Sequence, residues 1–284
     1  MLVLLRVQYA LFHPKTNRTV KKLFSFLGKR RNWSIPYILF LAVFVIIPLA
    51  LIVYYAFTNN EGHLSVVNFR KFLMQPEAMN TFVYSVGIAM ITTILCLILG
   101  YPAAYIMSRM NTGITQLLVL LFILPMWVNF LIRTLATVAM FDFLHIPLGV
   151  GSLLFGMVYN FLPFMIYPIY NNLKKTDPSL IEAAQDLGAT PSQVFFRTIL
   201  PLSAPGISSG VMMVFMPVIS TFAIAELLTM NNIKLFGTTL QENIYNGMWN
   251  YGAALSLVML LLIGITSLLN SEGNTKAAEE GGLL

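Results

Sequence analysis

The chain has 284 residues, 57% of them hydrophobic and 10% charged, with mean hydropathy +0.77 and a net charge of +6. Soluble domains carry about 25% charged residues, so this composition excludes a soluble enzyme or binding module and leaves an integral membrane protein. The single cysteine, Cys96, rules out a disulfide within the chain and, inside an apolar run, reads as a small buried hydrophobe.

Residues 1–33 hold eight basic residues (Arg6, Lys15, Arg18, Lys21, Lys22, Lys29, Arg30, Arg31) and no acidic one, which leaves the remainder at net −2. A basic block directly before the first long apolar run sets the N-terminus in the cytoplasm. That rule accounts for the charge, so nucleic acid is not an expected partner. The opening MLVLL is too short for a signal-peptide core and is interrupted by Arg6, so an uncleaved cytoplasmic arm is expected over 1–33.

Apolar runs of about 20 residues can cross the hydrocarbon core as helices. Six lie near 34–57, 83–108, 114–139, 149–171, 206–227 and 252–270. None shows the alternation of a barrel strand, and lipid offers no partner for an exposed backbone, so an all-α, six-span membrane domain is expected over 34–270. With the N-terminus inside, six crossings return the C-terminus inside. Segments 109–113 and 172–205 are then cytoplasmic, and 58–82, 140–148 and 228–251 face outward. Arg109, Lys174, Lys175 and Arg197 agree with this direction, whereas Arg70, Lys71 and Lys234 fall outside. Pro125, Pro163, Pro168 and Pro217 predict kinks, because each removes a backbone hydrogen bond from its helix. Gly206-Ile-Ser-Ser-Gly210 offers a small-residue face for close helix approach. The polar tail 271–284 is expected to be disordered.

The polar segment 172–205 reads as two short helices. Asp177-Pro178 is a cap followed by a first-turn proline, opening a helix through Glu182-Ala183-Ala184 and Asp186. Gly188 ends it in the left-handed conformation that glycine takes without strain. Thr190-Pro191-Ser192-Gln193 has capping-box spacing and starts a second helix, carrying Val194, Phe195 and Phe196, that is expected to stop before Pro201. A knob this apolar should dock into a partner groove.

Glu182-Ala183-Ala184, Gly188 and Leu200-Pro201 together resemble the EAA loop of ABC importer permeases of the type I class; Thr198 departs from the isoleucine common in that pattern. The resemblance covers about residues 35–270. Leu99-Gly-Tyr-Pro-Ala-Ala-Tyr105, Pro125-Met-Trp-Val-Asn-Phe-Leu-Ile-Arg133, Leu162-Pro-Phe-Met165 and Gly252-Ala-Ala-Leu-Ser256 are similar to the spermidine/putrescine permeases, although segment 140–152 is shorter here. The resemblance implies one half of a permease heterodimer in a bacterial inner membrane. Its partners would be a second homologous permease subunit, an external solute-binding protein and two ATP-binding subunits that grip the loop.

No Gly-x-x-x-x-Gly-Lys-Ser/Thr phosphate loop occurs, and Gly28-Lys29-Arg30 lacks both the first glycine and the hydroxyl. ATP and magnesium are therefore expected on the separate ATPase, with no cofactor on this chain. His13, His63 and His145 are scattered and form no metal or hydrolase cluster. Candidate path residues are Trp127, Asn129, Arg133, Asp142, Tyr159 and Glu226, because ionisable groups at membrane depth commonly line a pathway. Carboxylates and aromatics suit a polyamine through charge pairing and cation–π contact. A second reading has Arg133 and Glu226 paired with each other or facing interfacial water. Cargo alternatives within the fold are ferric iron, thiamine or an organophosphate. An ion-gradient secondary transporter is the alternative from another class, and it would need no partner at 172–205.

Overall fold

The computed structural model of the protein describes residues 35–281, Asn60 and Asn111 apart. The basic arm 1–33 lies outside the described residues. Among those described the structure is helical, with one isolated antiparallel bridge between Thr58 and Leu64.

The chain divides into two compact units, 1–54 and 55–284. The first helix, α1 (Pro36–Ala56), lies in the first unit as far as Tyr54, is apolar all round and widens into a π turn over Ala42–Ile46. Phe40 and Phe44, one turn apart, bring their rings to 4.9 Å. In the second unit a short α2 (Val67–Met74) precedes the long α3 (Pro76–Arg109). Then come α4 (Thr112–Trp127), α5 (Phe130–Phe143) and α6 (Val150–Lys175). The polar segment supplies α7 (Pro178–Asp186) and α8 (Pro191–Leu202). The chain finishes with α9 (Ala204–Ser220), α10 (Ala223–Thr229), α11 (Phe236–Tyr245) and α12 (Trp249–Gly281).

Among the described residues four helices are long and apolar enough to cross a membrane singly, and up to six crossings result when each of two bent pairs counts as one. The core is built around α6, which packs against α3 and α9. Cys96, Met157, Met165, Ile169 and Val214 are fully buried there. Cys96 is thus the buried hydrophobe its surroundings predict. Gly206 and Gly210 bring α9 onto α6. A Cβ on Gly206 would lie 3.1 Å from the Ile169 Cα, and one on Gly210 would lie 3.1 Å from the Met165 carbonyl oxygen. The small-residue face is therefore a backbone-to-backbone contact, the arrangement by which helices associate where lipid supplies no hydrophobic drive.

Several boundaries differ from expectation. The span placed at 114–139 is two helices meeting at 95°. Its break is made by Asn129, whose Oδ1 accepts the Leu131 N–H at 2.8 Å and caps a new helix inside the apolar run. The span placed at 206–227 is likewise broken at Thr221-Phe222, between α9 and α10. Both breaks fall three or four residues after a proline (Pro125, Pro217), whereas α6 remains one helix through Pro163 and Pro168. Segments 58–82 and 228–251 are not simple loops, since they hold α2, the start of α3, and α11. Residues 271–281, expected to be disordered, continue α12. The helix expected to stop before Pro201 runs through it to Leu202. A π turn over Phe195–Ile199 lies immediately before that proline, which has no N–H for the Arg197 carbonyl, and the wider turn takes up the misfit.

Candidate functional site

The polar segment folds as its capping residues dictate. The Asp177 carboxylate accepts the Ser179 N–H at 3.0 Å, and that bond holds its pKa below the ordinary carboxylate value. At the other end of α7, the Gly188 N–H donates to the Gln185 carbonyl (2.8 Å) and the Ala189 N–H to the Ala184 carbonyl (3.1 Å). This reciprocal pair is a Schellman closure, and it requires the left-handed Gly188, at φ +80°. Thr190 and Gln193 then exchange side-chain and backbone bonds, the capping box that starts α8. The turn displays Glu182, Ala183 and Asp186 to solvent with Leu187 at 89% exposure and Phe196 at 62%. Ala184, Phe195 and Leu200 are half-buried and Pro201 is exposed. The result is a rigid, capped knob with apolar side chains left uncovered by this chain.

The knob is tied to the bundle through α3. The Phe195 ring packs edge-on against Tyr101 (5.9 Å) and Tyr105 (5.6 Å) and stands 5.1 Å from Phe196. The Ser203 hydroxyl, at the 59° bend between α8 and α9, donates to the Leu200 carbonyl at 2.8 Å. Tyr101 therefore donates to the Ser203 oxygen at 3.1 Å. Displacement of the knob would be felt directly by α3 and α9. Tyr101 and Ser203 were not singled out from sequence; the only signal was two tyrosines one turn apart, Tyr101 and Tyr105, near the C-terminal end of an apolar helix.

The two helix breaks open on one hollow of about 500 Å³, lined among others by Trp127, Asn129, Arg133, Asn160, Ser220 and Thr221. Arg133 is 8% exposed and Asn160 1%. The guanidinium carbon lies 5.9 Å from the centre of the Tyr159 ring, and that ring stacks on Phe155. Of the path candidates, Trp127, Asn129 and Arg133 line the hollow and Tyr159 flanks it. Glu226, half-buried on α10, and Asp142, exposed near the end of α5, do not line it. Arg133 and Glu226 form no ion pair; among the described residues the one ion pair is Lys234–Glu242, at 2.7 Å. It lies in a second, polar hollow of about 640 Å³ between α2, α3 and α11, where Lys71 also sits 4.4 Å over the Tyr251 ring. Asn160, Ser220 and Thr221 are polar lining residues that sequence reasoning missed, Asn160 being the most deeply buried of them. A lone amide in the middle of an apolar helix was the available signal.

Residues 97–271 match the family of binding-protein-dependent transport system inner membrane components. The chain belongs to that family. It is 33% identical over 249 residues to the spermidine/putrescine transport system permease protein PotB of Haemophilus influenzae, covering 79% of this chain and 87% of that one. The PotB protein of Escherichia coli is 33% identical over 211 residues, with 68% and 77% covered. A PotB homolog of Mycoplasma genitalium is 27% identical, with 82% and 87% covered. Among solved structures, a bacterial ABC transporter that imports the acidic polysaccharide alginate aligns with TM-score 0.66 at 13% identity, covering 91% of this chain and 98% of that one. The MetNI methionine ABC transporter aligns with TM-score 0.57 at 15% identity, covering 72% and 99%. The fold is that of type I ABC importer permeases, and this permease's knob and both helix breaks fall within the matched residues.

Proposed function

We propose that the chain is one permease half of a type I ABC importer whose cargo is a polyamine. The observation that carries the reading is the capped, solvent-facing pair α7–α8, presenting Glu182, Ala183, Ala184 and Gly188 with Leu187 and Phe196 uncovered. In this reading two ATP-binding subunits, which hold ATP and magnesium, receive the knob in a groove. Their closure moves Phe195, and with it Tyr101 of α3 and the Ser203 bend. The N-terminal arm and α12 end in the cytoplasm, a second permease subunit completes the passage, and an external binding protein delivers solute to the opposite face.

The polyamine assignment is supported by relatives named for spermidine and putrescine over most of their length. A flexible multiple cation suits Trp127 and Tyr159 through cation–π contact, and Glu226 and Asp142 through charge. These four are the proposed cargo-facing residues, with Asn129 fixing the break beside Trp127. The test is labelled spermidine uptake in cells lacking this gene and every other polyamine importer, with and without the gene restored. Uptake that returns with the gene supports the cargo. Unchanged background uptake, with an unrelated solute restored instead, would replace it.

A further inference from the structure

Arg133 is the only charged side chain that is buried among the described residues. Its Nε and Nη1 have no hydrogen-bond partner, and neither does Oδ1 of Asn160 in the same hollow, whose amide nitrogen is already committed to the Gly156 carbonyl at 2.8 Å. The neighbouring Tyr159 ring supplies a weak cation–π contact at 5.9 Å, which satisfies no N–H. The N-terminus of α5, capped by Asn129, opens on the same space and adds positive potential. A buried guanidinium with two unmet donors is costly unless an anion with matching geometry meets it. At membrane depth such groups commonly pair across helices.

We propose that the hollow beside Arg133 is a carboxylate-binding site, and that the carboxylate is an Asp or Glu side chain of the second permease subunit reaching in when the two halves assemble. Nε and Nη1 point to opposite sides of the guanidinium, so a carboxylate meets one of them together with Nη2, in one of the two forks that the planar group offers. Charge complementarity selects this occupant over the cargo, because a polyamine is repelled by Arg133 until the guanidinium is neutralised. Once the pair has formed, Asn160 Oδ1 remains as an unmet acceptor lining the space, suited to the N–H of a passing ammonium. The inference rests on the proposed heterodimer and assigns Arg133 to the joint between its halves and not to direct cargo contact.

The test uses the whole transporter, purified through a tag on this chain, with two readouts: recovery of the second permease subunit and spermidine uptake. Arg133→Gln, which keeps a polar N–H donor but removes the charge, is expected to lower both by about tenfold or more, since it strands the partner's carboxylate. Arg133→Lys is expected to fall between Gln and wild type. Each acidic residue in the partner's spanning helices is then changed to its amide in the Arg133→Gln background. Recovery of both readouts at one position, where that amide change alone is deleterious, supports the proposal. Wild-type recovery and uptake in Arg133→Gln would overturn it, as would a complete amide scan that restores nothing. Undiminished subunit recovery together with Arg133-dependent uptake of a labelled amino acid would place the carboxylate on the solute and overturn it too. Subunit recovery does not depend on cargo, so failure of the polyamine reading alone shows up as absent spermidine uptake in the wild-type complex.

Discussion

Gly188 offers the cleanest separation of coupling from folding. Its φ of +80° is one that L residues rarely adopt, yet a Cβ there would meet no atom within 4 Å. A side chain at this position therefore brings no collision, only the conformational penalty, about 1–2 kcal/mol for an ordinary L residue in the left-handed region. That penalty falls on the Schellman turn that sets α7 against α8, and it reduces the population of the correctly turned knob by roughly 5–30-fold. The expected order of uptake is Gly, then Asn (which tolerates the left-handed region), then Ala, then Val, with ATP hydrolysis retained throughout. The assay is cargo uptake per ATP hydrolysed in membranes carrying equal amounts of each variant. Gly113→Ala, on an exposed first turn of α4 with no atom within 4 Å of its added Cβ, serves as the neutral control. Wild-type coupling in both Gly188→Ala and Gly188→Val would refute the argument, because it would show that the turn can be lost without consequence.

Phe195→Ala removes edge-on contacts to Tyr101 and Tyr105, each worth about 0.5–1.5 kcal/mol, and is expected to lower uptake at a given ATPase rate; Phe195→Leu should recover part of it, and equal coupling in both would remove Phe195 from the transmission. Gly210→Leu drives a side chain into the Met165 carbonyl and is expected to cost about 1–3 kcal/mol in overpacking, read as a lower melting temperature in detergent. Gly264→Leu, where an added Cβ meets nothing within 4 Å, should leave the melting temperature unchanged. The Asp177 cap has a folded pKa below its unfolded value, so its contribution is present above the unfolded pKa and is lost only as pH falls through the depressed one. Coupling should therefore be insensitive to this group from neutral to mildly acidic pH, and Asp177→Asn, which keeps the acceptor, should behave like wild type while Asp177→Ala loosens α7 in hydrogen exchange.

What could be read from the residues divides along physical lines. The helical membrane class follows from composition, and the α7–α8 pair follows from local caps, Asp177-Pro178, Gly188 and Thr190-Gln193, whose bonds involve near neighbours only. The same local rules missed the breaks inside the spans expected at 114–139 and 206–227. Uniform apolarity there hides a break, although Asn129 carried the signal as a helix cap inside the run. Pro163 and Pro168 lie inside α6, which stays one helix, while the breaks formed downstream of Pro125 and Pro217. Single residues such as Tyr101 and Asn160 left a faint signal, but their partners did not: Tyr101 meeting Ser203, or Arg133 and Asn160 sharing one hollow, depends on how α3, α5, α6 and α9 pack. For the same reason Glu226 and Arg133, similar in depth along their helices, did not turn out to be partners.

The most direct test of the account is reconstitution of the complete transporter in lipid vesicles, with labelled spermidine and the binding protein on one side and ATP on the other. The account predicts spermidine accumulation that requires ATP and this chain, and that collapses in Gly188→Val while ATP hydrolysis continues. Accumulation driven by an ion gradient without ATP, or unchanged in Gly188→Val, would contradict it.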